Sequence, residues 1–207
     1  MIIHKNTEGV KKDEFGRFIF DGNLKAKFLD LKISIIIKGD IRSDGDIRSA
    51  GDIRSDGYIR SAGDIWSAGD IWSAGYIWSD GYIWSDGDIR SAGDIRSAGD
   101  IRSDGDIWSA GDIRSAGAIF STKIVGKVKK IFGFEVDSFL SISSKRWPIF
   151  IFNSKMKIGC ELHEISEWAN FDDEYIAKMD KGAVSFWEKN KKELLAICEV
   201  VTLRREK

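Results

Sequence analysis

Fourteen hexapeptides run without insertion from residue 39 to residue 122, each reading G-[DYA]-I-[RWF]-S-[ADT]. Glycine, isoleucine and serine are fixed in every copy, whereas the second, fourth and sixth positions vary. Six is an even number, so an extended backbone returns the same alternate residues to the same side in each copy. A helix would smear the isoleucines around its axis, and a glycine in every copy would cost it about 1 kcal/mol each. The repeat is therefore β. Gly, Ile and Ser form one side, the second and fourth positions form the other, and the sixth-position Ala or Asp lies near a corner.

One hexapeptide makes one short strand and one corner, so the chain coils and stacks strand on strand at about 4.8 Å. The expected fold class is mainly β, a single-stranded β-solenoid (β-helix). Three units per coil give a triangular section in about 4.7 coils, roughly 22 Å of axis; two give a flatter section. Three is favoured, because a lone isoleucine per face fills a narrow triangular core while small Gly and Ser sit near the corners.

Solenoids need caps, and the flanks are read as supplying them. Residues 1–38 are expected to form an N-terminal β cap, with Asp21-Gly22 as a hairpin turn between FGRFIF and LKAKF. Residues 123–158 read as a β-rich continuation in which the only proline, Pro148, fits an edge or turn. Residues 159–207 read as a small C-terminal α-helical module docked on the end of the solenoid. There Asp172 is positioned to cap a short helix through Met179. A longer helix, about Gly182 to Val201, places Val184, Trp187, Leu194, Cys198 and Val201 on one face.

The variable positions carry the functional reading. Arg60 is followed one copy later by Trp66, and Trp84 by Arg90. A site that accepts an obligate cation is not a sealed core, because burying an unpaired guanidinium is prohibitive. Trp66, Trp72, Trp78, Trp84 and Trp108 therefore face outward, with Tyr58, Tyr76 and Tyr82 beside them. Large exposed aromatic patches mark partner surfaces, so these eight residues are the candidate binding set. The competing reading is that the rings stack between coils and relieve repulsion in columns of like charge, binding nothing.

Charge bears on the kind of partner. The net charge is −1, yet residues 39–118 hold fifteen Asp and eight Arg, leaving 24 basic and 18 acidic residues in the flanks. An acidic middle opposes nucleic acid. It leaves room for an acidic contact surface, or for head-to-tail self-association into a homo-oligomer. Two cysteines, no secretory leader and an apolar run (Ile33 to Ile37) far too short for a bilayer point to a soluble cytoplasmic protein with no membrane partner.

No catalytic constellation stands out. Hexapeptide solenoids include acyltransferases, which rely on a histidine base and loops extruded from the coils. This repeat contains neither, His4 and His163 lying outside it. Cys160, His163 and Cys198 offer three metal ligands, but a single C-x-x-H is a weak signal, and Cys198 falls on the apolar face of the long helix, where a buried thiol is ordinary. Core packing is favoured, and no cofactor or metal is expected.

The GDIRSAGDIRSD tract resembles the hexapeptide-repeat proteins of bacteriophages and prophages and, more distantly, polymer-forming bactofilin-type solenoids. Residues 146–192, with IGC-x-x-H, EW-x-x-F and an acidic helix start in order, are similar to a C-terminal module of phage repeat proteins. The resemblance implies a mobile-element origin and a non-enzymatic role in the bacterial host cell: an interaction protein that binds a protein partner. An inhibitor of a defence system such as a CRISPR nuclease is one extension. The alternative is a self-assembling structural protein.

Overall fold

In a computed structural model of the chain, residues 1–3, 6–142, 144 and 146–203 are described. All fourteen repeat isoleucines, from Ile41 to Ile119, are fully buried, and the repeat serines from Ser43 to Ser115 are at most 8% exposed. The fourth position between them points outward. This alternation builds a β-solenoid of parallel strands three residues long, such as Ile65–Ser67. Each isoleucine stacks on the one eighteen residues later: Ile59 on Ile77, Ile65 on Ile83, Ile71 on Ile89. Eighteen residues are three hexapeptides, so the coil has three faces.

Face I contains Ile2–Ile3, Leu29–Leu31, Ile47–Ser49, Ile65–Ser67, Ile83–Ser85, Ile101–Ser103 and Ile119–Phe120. Face II runs from Phe18–Phe20 through Ile35–Ile37, Ile53–Ser55, Ile71–Ser73 and Ile89–Ser91 to the first half of Asp106–Ser115. Face III runs from Leu24–Ala26 through Ile41–Ser43, Ile59–Ser61, Ile77–Ser79 and Ile95–Ser97 to the second half of that strand.

The fixed serine is an inter-coil staple. Ser67 Oγ donates to the carbonyl of Gly51 in the preceding coil at 2.8 Å and accepts the N–H of Gly69 at 3.2 Å. Equivalent bonds recur, for example at Ser61 and Ser79. Burying a hydroxyl is tolerated only when it is hydrogen-bonded in this way. The fixed glycine answers to space, since no repeat glycine has a positive φ. A Cβ on Gly63 would lie 2.2 Å from Asp46 Oδ1, and one on Gly75 would lie 3.1 Å from the Gly57 carbonyl oxygen.

The N-terminal flank departs from the sequence reading. Asp21-Gly22 closes no hairpin: Phe18–Phe20 pairs antiparallel with Val10–Lys12 and parallel with Ile35–Ile37, whereas Leu24–Ala26 pairs with Ile41–Ser43. The dipeptide is a solenoid corner, with Gly22 at φ 93°. The physical reason is that Leu24, Leu29, Leu31, Ile35 and Ile37, all buried, continue the inward alternation. Coiling therefore begins before Gly39. Among the described residues, only Val10–Lys12, against Phe18–Phe20, runs antiparallel at that end.

The chain divides into two compact units, Met1–Glu135 and Val136–Lys207. Lys123–Ile131 adds a larger-side-chain strand to the solenoid, in parallel with Asp106–Ser115 but with register shifts. Phe134–Glu135 folds back antiparallel on Lys123–Ile131, and from Val136 on the expected continuation belongs to the second unit. There Phe139–Ile142, Ile149–Phe152, Lys155–Ile158 and Glu161–Glu164 form an antiparallel sheet in that order.

Three helices follow among the described residues: α1 (Ile165–Asn170), α2 (Asp173–Ala177) and α3 (Ala183–Leu203). Asp172 caps α2 by accepting the Tyr175 N–H at 2.8 Å. The apolar face of α3, with Trp187, Leu194 and Cys198 buried, shares a core with Ile149, Ile151 and Met156 of the sheet. The second unit is thus a sheet with helices rather than helices alone. No helix among the described residues is long and apolar enough to cross a membrane.

Candidate functional site

The eighteen-residue period sorts the outward residues into three columns, and the candidate set does not fall on one of them. On face I the column reads Asp30, Arg48, Trp66, Trp84, Arg102 and Phe120. On face II it reads Ile36, Arg54, Trp72, Arg90, Trp108 and Val125. On face III it reads Lys25, Arg42, Arg60, Trp78, Arg96 and Arg114. The aromatics therefore girdle the solenoid. Trp66 and Trp84 alone are two fourth-position tryptophans in direct register.

This arrangement gives the free exchange of Arg and Trp a physical basis. Both present a flat surface, and a guanidinium is attracted to the face of a neighbouring ring. Arg60 lies over the Trp78 ring at 4.7 Å and Arg102 over Trp84 at 5.0 Å. Arginines also pair within their own copy with the second-position aspartate, as in Arg54 to Asp52 at 3.0 Å and Arg96 to Asp94 at 2.7 Å.

Aspartate at the second position has its own inter-coil duty. Asp46 Oδ1 accepts the N–H of Asp64 at 3.0 Å, and Asp70 Oδ1 that of Asp88 at 2.9 Å. Charge-assisted bonds of this kind are shorter and stronger than neutral ones. Asp88 lies below its ordinary pKa chiefly because the Asp106 N–H donates to it, with Arg90 next. Asp94 is lowered in the same way by the Asp112 N–H and then Arg96.

Tyrosine replaces this carboxylate in three copies, with different consequences. Tyr58 and Tyr76 fall in one corner column and stack on each other, centroids 4.7 Å apart and planes 3° from parallel, with Arg42 at 4.8 Å over Tyr58. Both are half-buried. Tyr82 is 55% exposed and lies beside Trp84, which is 42% exposed. Together with Trp66, Arg102 and Phe120 they line a groove on face I. Trp72 and Trp108 are exposed on face II, separated by Arg90. Trp78 on face III covers itself with Arg60 and donates its indole N–H to Asp80 at 3.0 Å.

Phe120 is the member of this surface that the sequence reading passed over. The signal was present, because position 120 is the fourth position of the last copy and lies thirty-six residues, two full coils, beyond Trp84.

The potential metal ligands are placed as ordinary residues. Cys160 is exposed and Cys198 is buried, its Sγ 3.8 Å from Met156 Sδ. Burial pushes the Cys198 thiol up to about 11. His163 is edge-on to Trp168 and Phe171 and 3.3 Å from Glu161. Among the described residues no three His, Cys, Asp or Glu side chains form a metal-binding group. His4 falls outside the described residues.

Fold and surface together define a β-solenoid with, among the described residues, an antiparallel strand at each end and a separate sheet-and-helix unit. Comparison with known proteins returned no matching family profile, no matching curated protein and no matching solved structure.

Proposed function

We propose that the chain is a non-enzymatic interaction protein that binds a protein partner through face I of the solenoid. The observation that carries this reading is the registered pair Trp66 and Trp84, with exposed Tyr82, Phe120 and the terminal arginines Arg48 and Arg102 around it. Trp, Tyr and Arg are the residues that dominate binding energy at protein interfaces. Arg102 covers one side of Trp84 as Arg60 covers Trp78, but only face I sets two fourth-position rings side by side; on face II Arg90 separates Trp72 from Trp108, and on face III Trp78 stands between arginines. A finer proposal rests on the resemblance to phage proteins: the partner belongs to a bacterial defence system such as a CRISPR nuclease.

The test is capture from a host lysate by the native chain and by Trp66→Arg/Trp84→Arg, a change the repeat already makes in other copies. Capture is expected to be lost while the thermal midpoint moves by only a few degrees; undiminished capture removes the reason for choosing this face. For the finer proposal, purified chain added to an RNA-guided cleavage assay should inhibit, and the double variant should not.

One observation favours a second reading, self-assembly. Among the described residues, the terminal strands of face I, Ile2–Ile3 and Ile119–Phe120, have a neighbouring strand on one side only, and Met1 and Ile2 are 48% and 58% exposed. Open edges pair with other chains. Light scattering across concentration and salt decides it, and a monomer throughout would sink assembly.

A further inference from the structure

A second-position aspartate followed by arginine divides its oxygens between two partners. Asp46 gives one to the N–H of Asp64 and the other to Arg48 at 3.0 Å. Asp88 serves the Asp106 N–H and Arg90, the latter at 2.7 Å, in the same way. On face I the pattern breaks twice. Asp64 accepts the Tyr82 N–H at 2.8 Å, but Trp66 stands where its arginine would be. Asp100 accepts the Ala118 N–H at 2.8 Å, while Arg102 lies over the Trp84 ring at 5.0 Å and points to Asp104 at 3.7 Å. Among the described residues, neither Asp64 nor Asp100 is paired with a cation.

Both carboxylates line one groove of about 370 Å³, within the range of ligand sites, roughly 300–1,000 Å³. Trp66, Tyr82 and Trp84 form its aromatic walls, and the last two are exposed. Arg102 is the one basic residue among the described lining. The groove beside Trp72 on face II has the opposite balance, with Arg17, Lys38, Arg54 and Arg90 around Asp56 and Asp70. Charge complementarity therefore draws a cation to face I.

We infer that the partner enters this groove with an arginine side chain, a conclusion that rests on face I being the binding face. The guanidinium gives Asp64 the pair that Arg48 gives Asp46, and it lies against an indole as Arg102 lies against Trp84. A planar fork bonds a carboxylate and stacks on a ring at once, whereas a lysine ammonium has no flat face to stack.

The probe is the tripeptide Gly-Arg-Gly, acetylated and amidated, set against its citrulline and lysine counterparts. In nitrogen-15 spectra of the tryptophan-labelled full chain, the Trp66 and Trp84 indole resonances are assigned by their loss in Trp66→Arg and Trp84→Arg. Both are expected to shift and saturate with the arginine peptide, to respond more weakly to the lysine peptide and to ignore the citrulline one. Affinity is expected to fall about tenfold in Asp64→Asn/Asp100→Asn, because a hydrogen bond to a charged group is lost. Asparagine keeps the ladder, as Asn23 Oδ1 shows by accepting the Asp40 N–H at 2.8 Å, and circular dichroism checks the fold. Trp66→Arg, which gives Asp64 a guanidinium from its own chain, is expected to abolish peptide binding. No saturable shift, equal affinity for the citrulline or lysine peptide, or undiminished affinity in the asparagine variant overturns the inference. Lysate capture separates this failure from that of the face: capture lost in Trp66→Arg/Trp84→Arg but kept in Asp64→Asn/Asp100→Asn refutes arginine recognition alone, and capture kept in the tryptophan variant refutes face I.

Discussion

At the scale of single residues, each fixed position has one physical duty. Isoleucine fills the core, serine staples coil to coil, and glycine makes room where the preceding coil comes within van der Waals contact. Ser67→Ala removes the donor to Gly51 and the acceptor of the Gly69 N–H. It is expected to cost about 1–3 kcal/mol, because buried backbone groups lose a partner, and chemical denaturation measures it. The aspartate ladder predicts a pH dependence. Asp88 and Asp94 are depressed in the folded state, so the unfolded chain takes up protons first as pH falls. Their stabilisation is present above the unfolded carboxylate pKa, about 3.9, and is lost as pH drops through the lower folded values. Thermal midpoints should hold from pH 7 to about 5 and fall below about 4; a flat profile down to pH 2 would contradict the ladder's role.

At the scale of elements, the three-residue strand and its corner were legible in the sequence because fourteen copies compare one position with another. Arg and Trp trading places showed the outward side, and the even period showed β structure. Asp172 and the apolar face of α3 were legible for the same reason, since a cap and a helical stripe are local signals. Asp21-Gly22 was misleading because a solenoid corner and a hairpin use the same turn chemistry. Only the inward alternation of Leu24 to Ile37 separates them. Which rings meet depends on the eighteen-residue period, and this yields a paired experiment. Duplicating residues 39–56 in tandem adds one full coil ahead of the set and keeps Trp66 in register with Trp84, with Arg102 and Phe120 retained. Deleting residues 75–80 removes one face unit and puts them on different faces. Both variants should fold, as judged by β-type circular dichroism, but only the first should retain partner capture. Capture by both, or by neither, would detach binding from the register of the pair.

At the scale of the whole molecule, the chain joins a repeat made of local rules to a second unit made of irregular packing. The repeat was readable because every coil solves the same problem. The core of the second unit was not, because it depends on residues from Ile149 to Cys198 meeting across a sheet and helices, which no spacing announces. The central claim is that the solenoid works through face I rather than through its girdle of aromatics as a whole. Site-specific photo-crosslinking tests it most directly. Trp84 on face I and Trp78 on face III are each replaced by photoreactive benzoylphenylalanine, and the chain is irradiated in host lysate. The account predicts a discrete adduct from position 84 and none from position 78. Adducts of equal yield from both, or from position 78 alone, would contradict it.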